Sequence, residues 1–274
     1  MKEFAKKIRL ETLKTLLHLG FGHYGGSLSI VEVLAVLYER HMKVNPAQPK
    51  WTERDYLVLS KGHGGPALYA TLGLKGFFPM EMLKTLNQNG TTLPSHADCN
   101  LTPGVDMTTG SLGQGISAAA GIAYYHQARK LSNKVFCIVG DGELNEGQCW
   151  EAFQFIAHNR LKNLIVFVDD NKKQLDGTTE SICRPFNLVD KMRAFGLHSV
   201  QVAGDDVSAI DAAIHDAYQQ ETATVIVLDT IKGMGVPYLE EKADNHHLRP
   251  TQEDENAIRA AVQALEEELN YGNA

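Results

Sequence analysis

The sequence predicts an α/β protein whose doubly wound, mostly parallel sheet carries helices on both faces. Two observations lead to this fold class. Short, continuously apolar runs alternate with helical patterns, and such runs are typical of strands buried on both faces. No internal repeat, low-complexity tract or linker interrupts the 274 residues. We therefore expect a single domain spanning residues 1–274.

Five apolar runs are the candidate strands, and four helical patterns lie between or beside them. The runs are Tyr56–Leu59, Val135–Val139, Leu164–Val168, Ser199–Val202 and Val225–Leu228. The helical patterns cover about residues 112–131, 147–159, 187–195 and 206–219.

The two ends of the chain also predict helices. The first forty residues contain two helical patterns separated by the glycine-rich segment 20–26. Ser29 is the expected N-cap of the second helix, because Glu32 follows three residues later, at the spacing of a capping box. The segment Thr251–Leu269 is charged and amphipathic, so we expect a helix that closes the domain.

Composition excludes several functional classes. With 43% hydrophobic and 22% charged residues, the chain has an ordinary globular composition. A net charge of −7 lacks the basic excess that nucleic-acid binding requires. No apolar stretch approaches the ~18–20 residues of a membrane span, and the charged N-terminal segment differs from a signal peptide. The four cysteines are scattered, which predicts reduced thiols and a cytoplasmic protein.

Two predicted strands end in hard oxygen ligands. Asp141 stands between two glycines after the second strand, and Asn171 follows the third strand about thirty residues later. Open α/β sheets bind ligands at the carboxyl ends of their strands, and a carboxylate with a carboxamide suits Mg²⁺ or Ca²⁺. Glycines beside Asp141 let the backbone approach a diphosphate. We expect a metal–diphosphate site here; a turn and a loop without a ligand are the alternative.

Six segments, in order, resemble the transketolase family. They are GHYGGSLS (22–29), RDYLVLSKGHGGPALYA (54–70), TTGSLGQGIS (108–117), GDGELNEGQCWEA (140–152), LKNLIVFVDDNKKQLDG (161–177) and KGMGVPYLE (232–240). The resemblance implies the diphosphate-binding domain of a transketolase that uses thiamine diphosphate and a divalent metal. Such an enzyme transfers a two-carbon ketol unit from a ketose, as a sugar phosphate or related sugar, to an aldose.

The resemblance implies which residues hold the metal and the diphosphate. Asp141, the Asn171 side chain and the backbone carbonyl of Lys173 match metal ligands for Mg²⁺, with Ca²⁺ or Mn²⁺ as alternatives. Gly142 matches a backbone donor to the diphosphate.

Four histidines match family positions. His63 and His246 are implied to contact the diphosphate and face the substrate channel, and His23 and His96 to bind substrate hydroxyls and move protons. Because His247 follows directly, either of the last two histidines could be the working residue. We expect the other histidines to be structural or exposed, namely His18, His41, His126, His158, His198 and His215.

Further matches surround the cofactor. Leu175 and Ile231 match apolar residues that pack on the thiazolium ring. Gly110 and Leu112 lie where the family's loop approaches the aminopyrimidine.

The resemblance also implies a partner subunit. Glu146 and Glu151 match carboxylates at the interface between cofactor sites. A complete transketolase continues into a second domain that binds the aminopyrimidine, whereas this sequence stops at Ala274. We therefore expect a C-terminal subunit with that domain, assembly into a heterotetramer, and no turnover by this chain alone.

The sequence departs from the family pattern near the implied substrate histidines. Tyr24 replaces a proline, residues 95–97 read Ser-His-Ala, and Lys172-Lys173 follows the metal-binding asparagine. We hypothesise a sugar other than the common pentose phosphates, such as a branched or sulfonated sugar.

Two alternatives to a transketolase subunit stay open. Deoxyxylulose-phosphate synthase shares the Gly-Asp-Gly metal site, although it has a different motif where this chain reads SKGHGGPALYA. A non-catalytic subunit that regulates a partner is the second.

Overall fold

The computed structural model describes residues 1–271, except the Tyr271 side chain, and contains one sheet of five parallel strands. The strands are β1 (Tyr56–Leu59), β2 (Val135–Gly140), β3 (Leu164–Asp170), β4 (His198–Ala203) and β5 (Thr224–Asp229). Their order in the sheet is β1-β2-β3-β5-β4. Each predicted apolar run is a strand, and all four pairings are parallel.

Eleven helices accompany the sheet within the described residues. They are α1 (Lys2–Leu19), α2 (Tyr24–Leu28), α3 (Val31–Val36), α4 (Gly65–Leu74), α5 (Gln114–Ala128), α6 (Gly147–His158), α7 (Thr179–Ile182), α8 (Leu188–Ala194), α9 (Val207–Ala217), α10 (Pro237–Glu241) and α11 (Gln252–Tyr271). A π-helical turn, Leu37–His41, continues α3. Short 3₁₀ turns cover Gly62–Gly64, Met80–Thr85 and Gly142–Asn145.

Alternate residues of the central strands point to opposite faces of the sheet, and both faces are covered. Phe136 and Ile138 of β2 pack in a core with residues of α1, α3, α4, α9 and α11. Cys137 and Val139 pack in a second core with residues of α5, α6 and α8. The predicted fold class is therefore confirmed. None of the described helices has the length and apolar character that crossing a membrane requires.

The predicted N-cap at Ser29 is wrong. The glycine-rich segment itself forms α2, and Ser29 is the C-cap of that helix. Its hydroxyl donates to Oδ2 of Asp169 at 2.6 Å, a bond to β3 that local sequence spacing does not reveal. Glu32 instead accepts a hydrogen bond from Arg9 at 2.7 Å, and both side chains are buried.

The register of the sheet determines where the strand ends meet. Gly140 at the end of β2 pairs with Asp169 of β3, and the backbone N–H of Asp141 donates to the Asp169 carbonyl at 3.1 Å. Residues that directly follow β2 and β3 therefore lie side by side at the carboxyl edge of the sheet.

Candidate functional site

A cavity of about 340 Å³ opens at the carboxyl ends of the strands, and most of the predicted site residues line it. Those that do are His23, His63, His96, Gly110, Leu112, Asp141, Gly142, Glu146, Asn171, Lys173, Leu175 and His246. Glu151 and Ile231 are not among the residues that line it. Segments far apart in sequence thus converge on one site.

Asp141 presents a buried carboxylate held by backbone groups. Its Oδ1 accepts from the N–H of Gly142 at 2.8 Å, and its Oδ2 accepts from the N–H of Lys172 at 2.8 Å. The Gly142 N–H that we expect to serve a diphosphate is thus directed at Asp141. Burial raises the pKa of Asp141 to about 7, and the neighbouring carboxylates of Asp169 and Asp170 add to this shift. The site therefore favours a nearby cation.

Asn171 and Lys173 lie next to this carboxylate. The Asn171 amide donates to Asp169 Oδ2 at 2.8 Å, which fixes its orientation, and its Oδ1 accepts from the Lys173 N–H at 3.2 Å. The Lys173 side chain turns to the carbonyls of Glu240 and Lys242, at 3.3 and 3.0 Å. The Lys173 backbone carbonyl accepts a hydrogen bond from the Lys232 ammonium at 3.2 Å.

The cavity also contains two buried lysines that the sequence patterns do not single out. Lys61 is paired with Asp169, with Nζ 2.5 Å from Oδ2. Lys232 donates to the Lys173 carbonyl at 3.2 Å and to Nδ1 of His246 at 2.9 Å. Burial lowers the pKa of Lys232 to about 8, and the charge of Lys61 contributes. The SKGH and IKGMG segments contain these lysines, but only their burial in the site distinguishes them from surface lysines.

The predicted histidines form one cluster around His23. The ring centroid of His23 lies 5.7 Å from that of His63, 5.6 Å from His96, 5.4 Å from His246 and 4.8 Å from His247. His246 lines the cavity, whereas His247 is exposed and lies beside Phe21, at 5.8 Å between ring centroids.

Four of the clustered imidazoles, those of His23, His63, His96 and His246, are neutral near pH 7 because their pKa values are lowered. Burial, followed by the charges of neighbouring histidines and lysines, lowers the pKa of His23 to about 4. Burial and the ammonium of Lys232 lower the pKa of His246 to about 3. Burial also lowers the pKa of His63 and of His96. Neutral imidazoles can accept a proton or donate a hydrogen bond.

Glycines of α2 allow the close approach that builds this cluster. A Cβ on Gly26 would lie 2.6 Å from Cδ2 of His63, and one on Gly25 would lie 2.5 Å from the Asn245 carbonyl. Only glycine therefore lets α2 pack against both histidine-bearing segments.

Glu143 is a further residue that the sequence patterns do not single out. Its Oε1 accepts from the Ser60 hydroxyl at 2.5 Å and from the Gly113 N–H at 2.7 Å, and its Oε2 accepts from the Gly140 N–H at 3.1 Å. The buried carboxylate thus ties the segments after β1 and β2 to the start of α5. The sequence offers no signal that separates Glu143 from the exposed Glu146 and Glu151.

Large apolar side chains are exposed beside the cavity. Leu175 is 65% exposed and Ile231 is 51% exposed, although burial is the usual state of such residues. Leu175 lines the cavity, and Ile231 directly precedes Lys232.

The expected position of Tyr24 near the substrate end is wrong. Tyr24 is fully buried in the core, and burial raises its pKa, with contributions from Glu255 and Asp254 near the start of α11. The tyrosine therefore packs toward α11, whereas His23 directly before it faces the cavity.

Lys172 pairs with Asp170 and Asp229 and is half exposed.

Comparison with known proteins agrees with this architecture. The family model described as "Transketolase, thiamine diphosphate binding domain" matches residues 1–267. The 6-deoxy-6-sulfo-D-fructose transketolase subunit SqwG of Clostridium sp. (strain MSTE9) is 52% identical over 265 residues, covering 96% of this chain and 95% of that protein. One subunit of the apulose-4-phosphate transketolase of Phocaeicola vulgatus is 37% identical over 254 residues, covering 91% and 90%.

Solved structures agree as well. A mutant transketolase from Pichia stipitis matches with a TM-score of 0.86 at 31% identity, over 95% of this chain and 40% of that chain. This chain therefore spans about two fifths of the length of that transketolase. Because the family match runs through almost the whole sequence and similar relatives are themselves transketolase subunits, the chain belongs to the transketolase family as an N-terminal subunit with the thiamine-diphosphate-binding domain.

Proposed function

We propose that this chain, with a partner subunit that carries the pyrimidine-binding domain, transfers a two-carbon ketol unit from a ketose to an aldose. One observation carries the proposal: a buried carboxylate at a strand end, Asp141, shares a cavity with the four neutral histidines. The first suits a metal-bound diphosphate, and the second suits proton transfer at a sugar. We also propose that the chain folds as a single domain.

Asp141, the Asn171 side chain and the Lys173 carbonyl would hold Mg²⁺, or Ca²⁺ or Mn²⁺ in its place. Their chemistry fits, because all three supply oxygen ligands. The raised pKa of Asp141 supports the assignment, since its hydrogen bonds come from backbone groups that carry no full charge. A dication would compensate the crowded carboxylates.

Lys232, His63 and His246 would bind the diphosphate next to the proposed metal ligands, since Lys232 donates to the Lys173 carbonyl. The Gly142 N–H, which also donates to Asp141, would be a backbone donor. Lys232 faces two backbone carbonyls and one imidazole, so its ammonium lacks a full opposing charge among these partners. An anion there would favour the charged form of Lys232 and raise its pKa. Buried charges are stable when they are paired in this way.

The exposed apolar side chains would cover the rings of the cofactor. Leu175 and Ile231 would pack on the thiazolium, while Gly110 and Leu112 would lie close to the aminopyrimidine. Covering Leu175 and Ile231 would remove exposed apolar surface from water, which is favourable.

The histidines would do the acid–base work. When bound, thiamine diphosphate supplies the electron sink for the carbanion of a ketol transfer. His23 and His96 would hold substrate hydroxyls and accept or return protons, because both imidazoles are neutral at pH 7. His246 is the better candidate than His247 for the fourth position, since it lines the cavity and hydrogen-bonds to Lys232.

The partner is proposed from the names and lengths of the relatives. Two similar proteins are named as subunits, and the match to this chain covers at least 90% of the length of each. Glu146 is exposed and lines the cavity, and Glu151 is exposed on α6, the helix that begins next to Glu146; both could contact the partner. A two-plus-two heterotetramer would place each cofactor between subunits.

The scattered free cysteines are consistent with a reducing compartment, and we propose the cytoplasm.

We propose a sulfonated ketose, of the 6-deoxy-6-sulfofructose type, as the donor. The support is the 52% identity to a subunit named for that sugar, against 37% for one named for apulose 4-phosphate. Among residues 95–97, His96 lines the cavity beside His23, whereas Ala97 is buried in the core.

The test is reconstitution with a pyrimidine-domain subunit, Mg²⁺ and thiamine diphosphate, followed by a ketol-transfer assay. We expect activity only with both subunits present, and loss of activity in Asp141→Ala. Activity without the partner would overturn the two-subunit proposal. Sulfofructose, apulose 4-phosphate and xylulose 5-phosphate are compared as donors; equal kcat/KM for xylulose 5-phosphate would overturn the proposed donor.

A further inference from the structure

Remote from the cofactor cavity, His41, Asp211 and His215 bring three metal-binding side chains together. One ligand atom of each lies within 4.8 Å of the other two. Nε2 of His41 is 2.8 Å from Oδ1 of Asp211, and Nε2 of His215 is 3.7 Å from the same oxygen. We propose that these residues bind a transition-metal ion of the zinc class.

Secondary structure explains why the three side chains meet. Asp211 and His215 are four residues apart on α9, so they project from the same face of the helix. His41 ends the π-helical turn that continues α3, which packs against α9. Turns of this kind recur at functional sites.

The hydrogen bonds around the cluster leave one oxygen for an ion. Oδ2 of Asp211 is engaged by Nη1 of Arg40 at 3.0 Å, whereas Oδ1 faces both imidazoles. The positive charge of Arg40 would repel a bound cation, but Arg40 contacts Oδ2 of Asp211 and leaves Oδ1 to the ion. The Asp211 side chain is largely shielded from solvent, with 14% exposed.

An outer partner orients the His41 ring. Its Nδ1 lies 3.0 Å from the Tyr218 hydroxyl, and burial raises the pKa of Tyr218, so the hydroxyl keeps its proton. A donating Tyr218 leaves the His41 proton on Nε2, directed at Asp211. Binding of an ion at Nε2 would move the ring proton to Nδ1, and Nδ1 would then donate to the Tyr218 oxygen, as the second nitrogen of a metal-bound histidine donates to an outer partner.

The donor set determines the class of ion. Two imidazole nitrogens and one carboxylate oxygen suit Zn²⁺, Co²⁺ or Ni²⁺, whereas Mg²⁺ prefers oxygen ligands. The His41 side chain is 2% exposed and the His215 side chain is 55% exposed, so the open side leaves room for water as a further ligand. The ion would link the π-helical turn to α9.

The cluster lies at the amino-terminal edge of the sheet. Lys134 directly precedes β2, and its ammonium stands 4.2 Å from the centroid of the Tyr218 ring, next to His41.

The test is titration of the full chain with Co²⁺, followed by visible absorption, and displacement by Zn²⁺. Saturating Mg²⁺ is present throughout. Because the cavity histidines can also bind Co²⁺, the measurement is the difference between proteins. We expect the wild type to bind one more ion than His215→Ala and Asp211→Asn, or to bind it at least about tenfold more tightly.

His158→Ala is the matched control, because His158 is an exposed histidine at the end of another helix. We expect it to bind Co²⁺ as the wild type does. Zn²⁺ should raise the Tm of the wild type and of this control more than that of His215→Ala. Equal ion number, affinity and Tm shift in wild type and both site variants would overturn the proposal. No partner or sugar is needed, so the result is independent of ketol transfer.

Discussion

The ammonium of Lys61 lies 2.5 Å from Oδ2 of Asp169, and both side chains are completely buried. Burial alone would raise the pKa of Asp169, but the charge and hydrogen bond of Lys61 reverse this and lower it below its ordinary value. Oδ2 of the same carboxylate also accepts from the amide of Asn171 at 2.8 Å. Lys61 therefore stabilises the carboxylate that orients one proposed metal ligand.

The first prediction concerns this ion pair. Lys61→Met should lower the free energy of unfolding by about 3–5 kcal/mol, because it leaves a buried carboxylate without its partner. Urea unfolding measures the change. The matched control is Lys162→Met, which removes an exposed pair with Glu221 and should change the stability little. Equal losses in the two variants would contradict the assigned role of Lys61, and adding Asp169→Asn to Lys61→Met should recover part of the loss.

The second prediction concerns the pH dependence of Asp141. Its pKa is about 7 in the folded chain, against an ordinary value of 3.8, so the folded protein binds more protons than the unfolded chain between these values. Without a divalent metal, stability should therefore fall as pH rises from about 4 to 7, by no more than about 4 kcal/mol from this group.

Asp141→Asn should remove that fall, and Mg²⁺ should stabilise the wild type more than the variant. Thermal unfolding across this pH range, with and without Mg²⁺, measures both effects. Asp176→Asn is the control, since Asp176 is an exposed carboxylate in the same cavity. A pH profile of Asp141→Asn identical to that of the wild type would count against the metal site.

The third prediction concerns Lys232. If its ammonium binds the diphosphate, Lys232→Met should weaken thiamine diphosphate binding by about 10- to 100-fold, the loss of one charge-assisted hydrogen bond. Calorimetric titration of the reconstituted pair with Mg²⁺ measures the affinity. Lys173→Met is the matched control, because the Lys173 ammonium binds backbone carbonyls of residues 240 and 242. Similar affinities for Lys232→Met and the wild type would sink the assignment.

The fourth prediction separates two adjacent histidines. His246→Ala should lower kcat for ketol transfer by about 10²–10⁴-fold, the usual size of a general acid–base contribution. His247→Ala should lower kcat much less. The exposed His247 ring contacts His23 but is not among the residues that line the cavity. Steady-state kinetics of the two variants with the same partner decides between them, and the reverse order of losses would exchange their roles.

Features that depend on neighbouring residues could be predicted from the sequence. The five strands produce continuous apolar runs, because both faces of the sheet are buried. Asp141 and Asn171 were identifiable as neighbours because each directly follows a strand, and parallel strands end at the same edge. The family resemblance supplied the histidines: His23 and His63 lie within the ordered motifs, and His96 and His246 lie outside the six quoted segments.

Features that depend on contacts between distant segments could not be predicted. Ser29 matches a helix N-cap in its local pattern, yet its hydroxyl bonds to Asp169, 140 residues away in sequence. Tyr24 directly follows a histidine of the cavity but packs in the core, because successive residues of α2 face different directions.

The sequence by itself determined the fold class, the position of Asp141 and Asn171 at the strand ends, and the family, because periodicity and ordered motifs are local properties. Only the tertiary structure decided which charges are buried together, namely Lys61 with Asp169 and Lys232 with His246. It also brought His41 together with Asp211 and His215. In the sequence alone, each of these three looks like an ordinary surface or structural residue. The physical reason is that burial and pairing energies arise between segments brought together by folding, and no spacing along the chain encodes them.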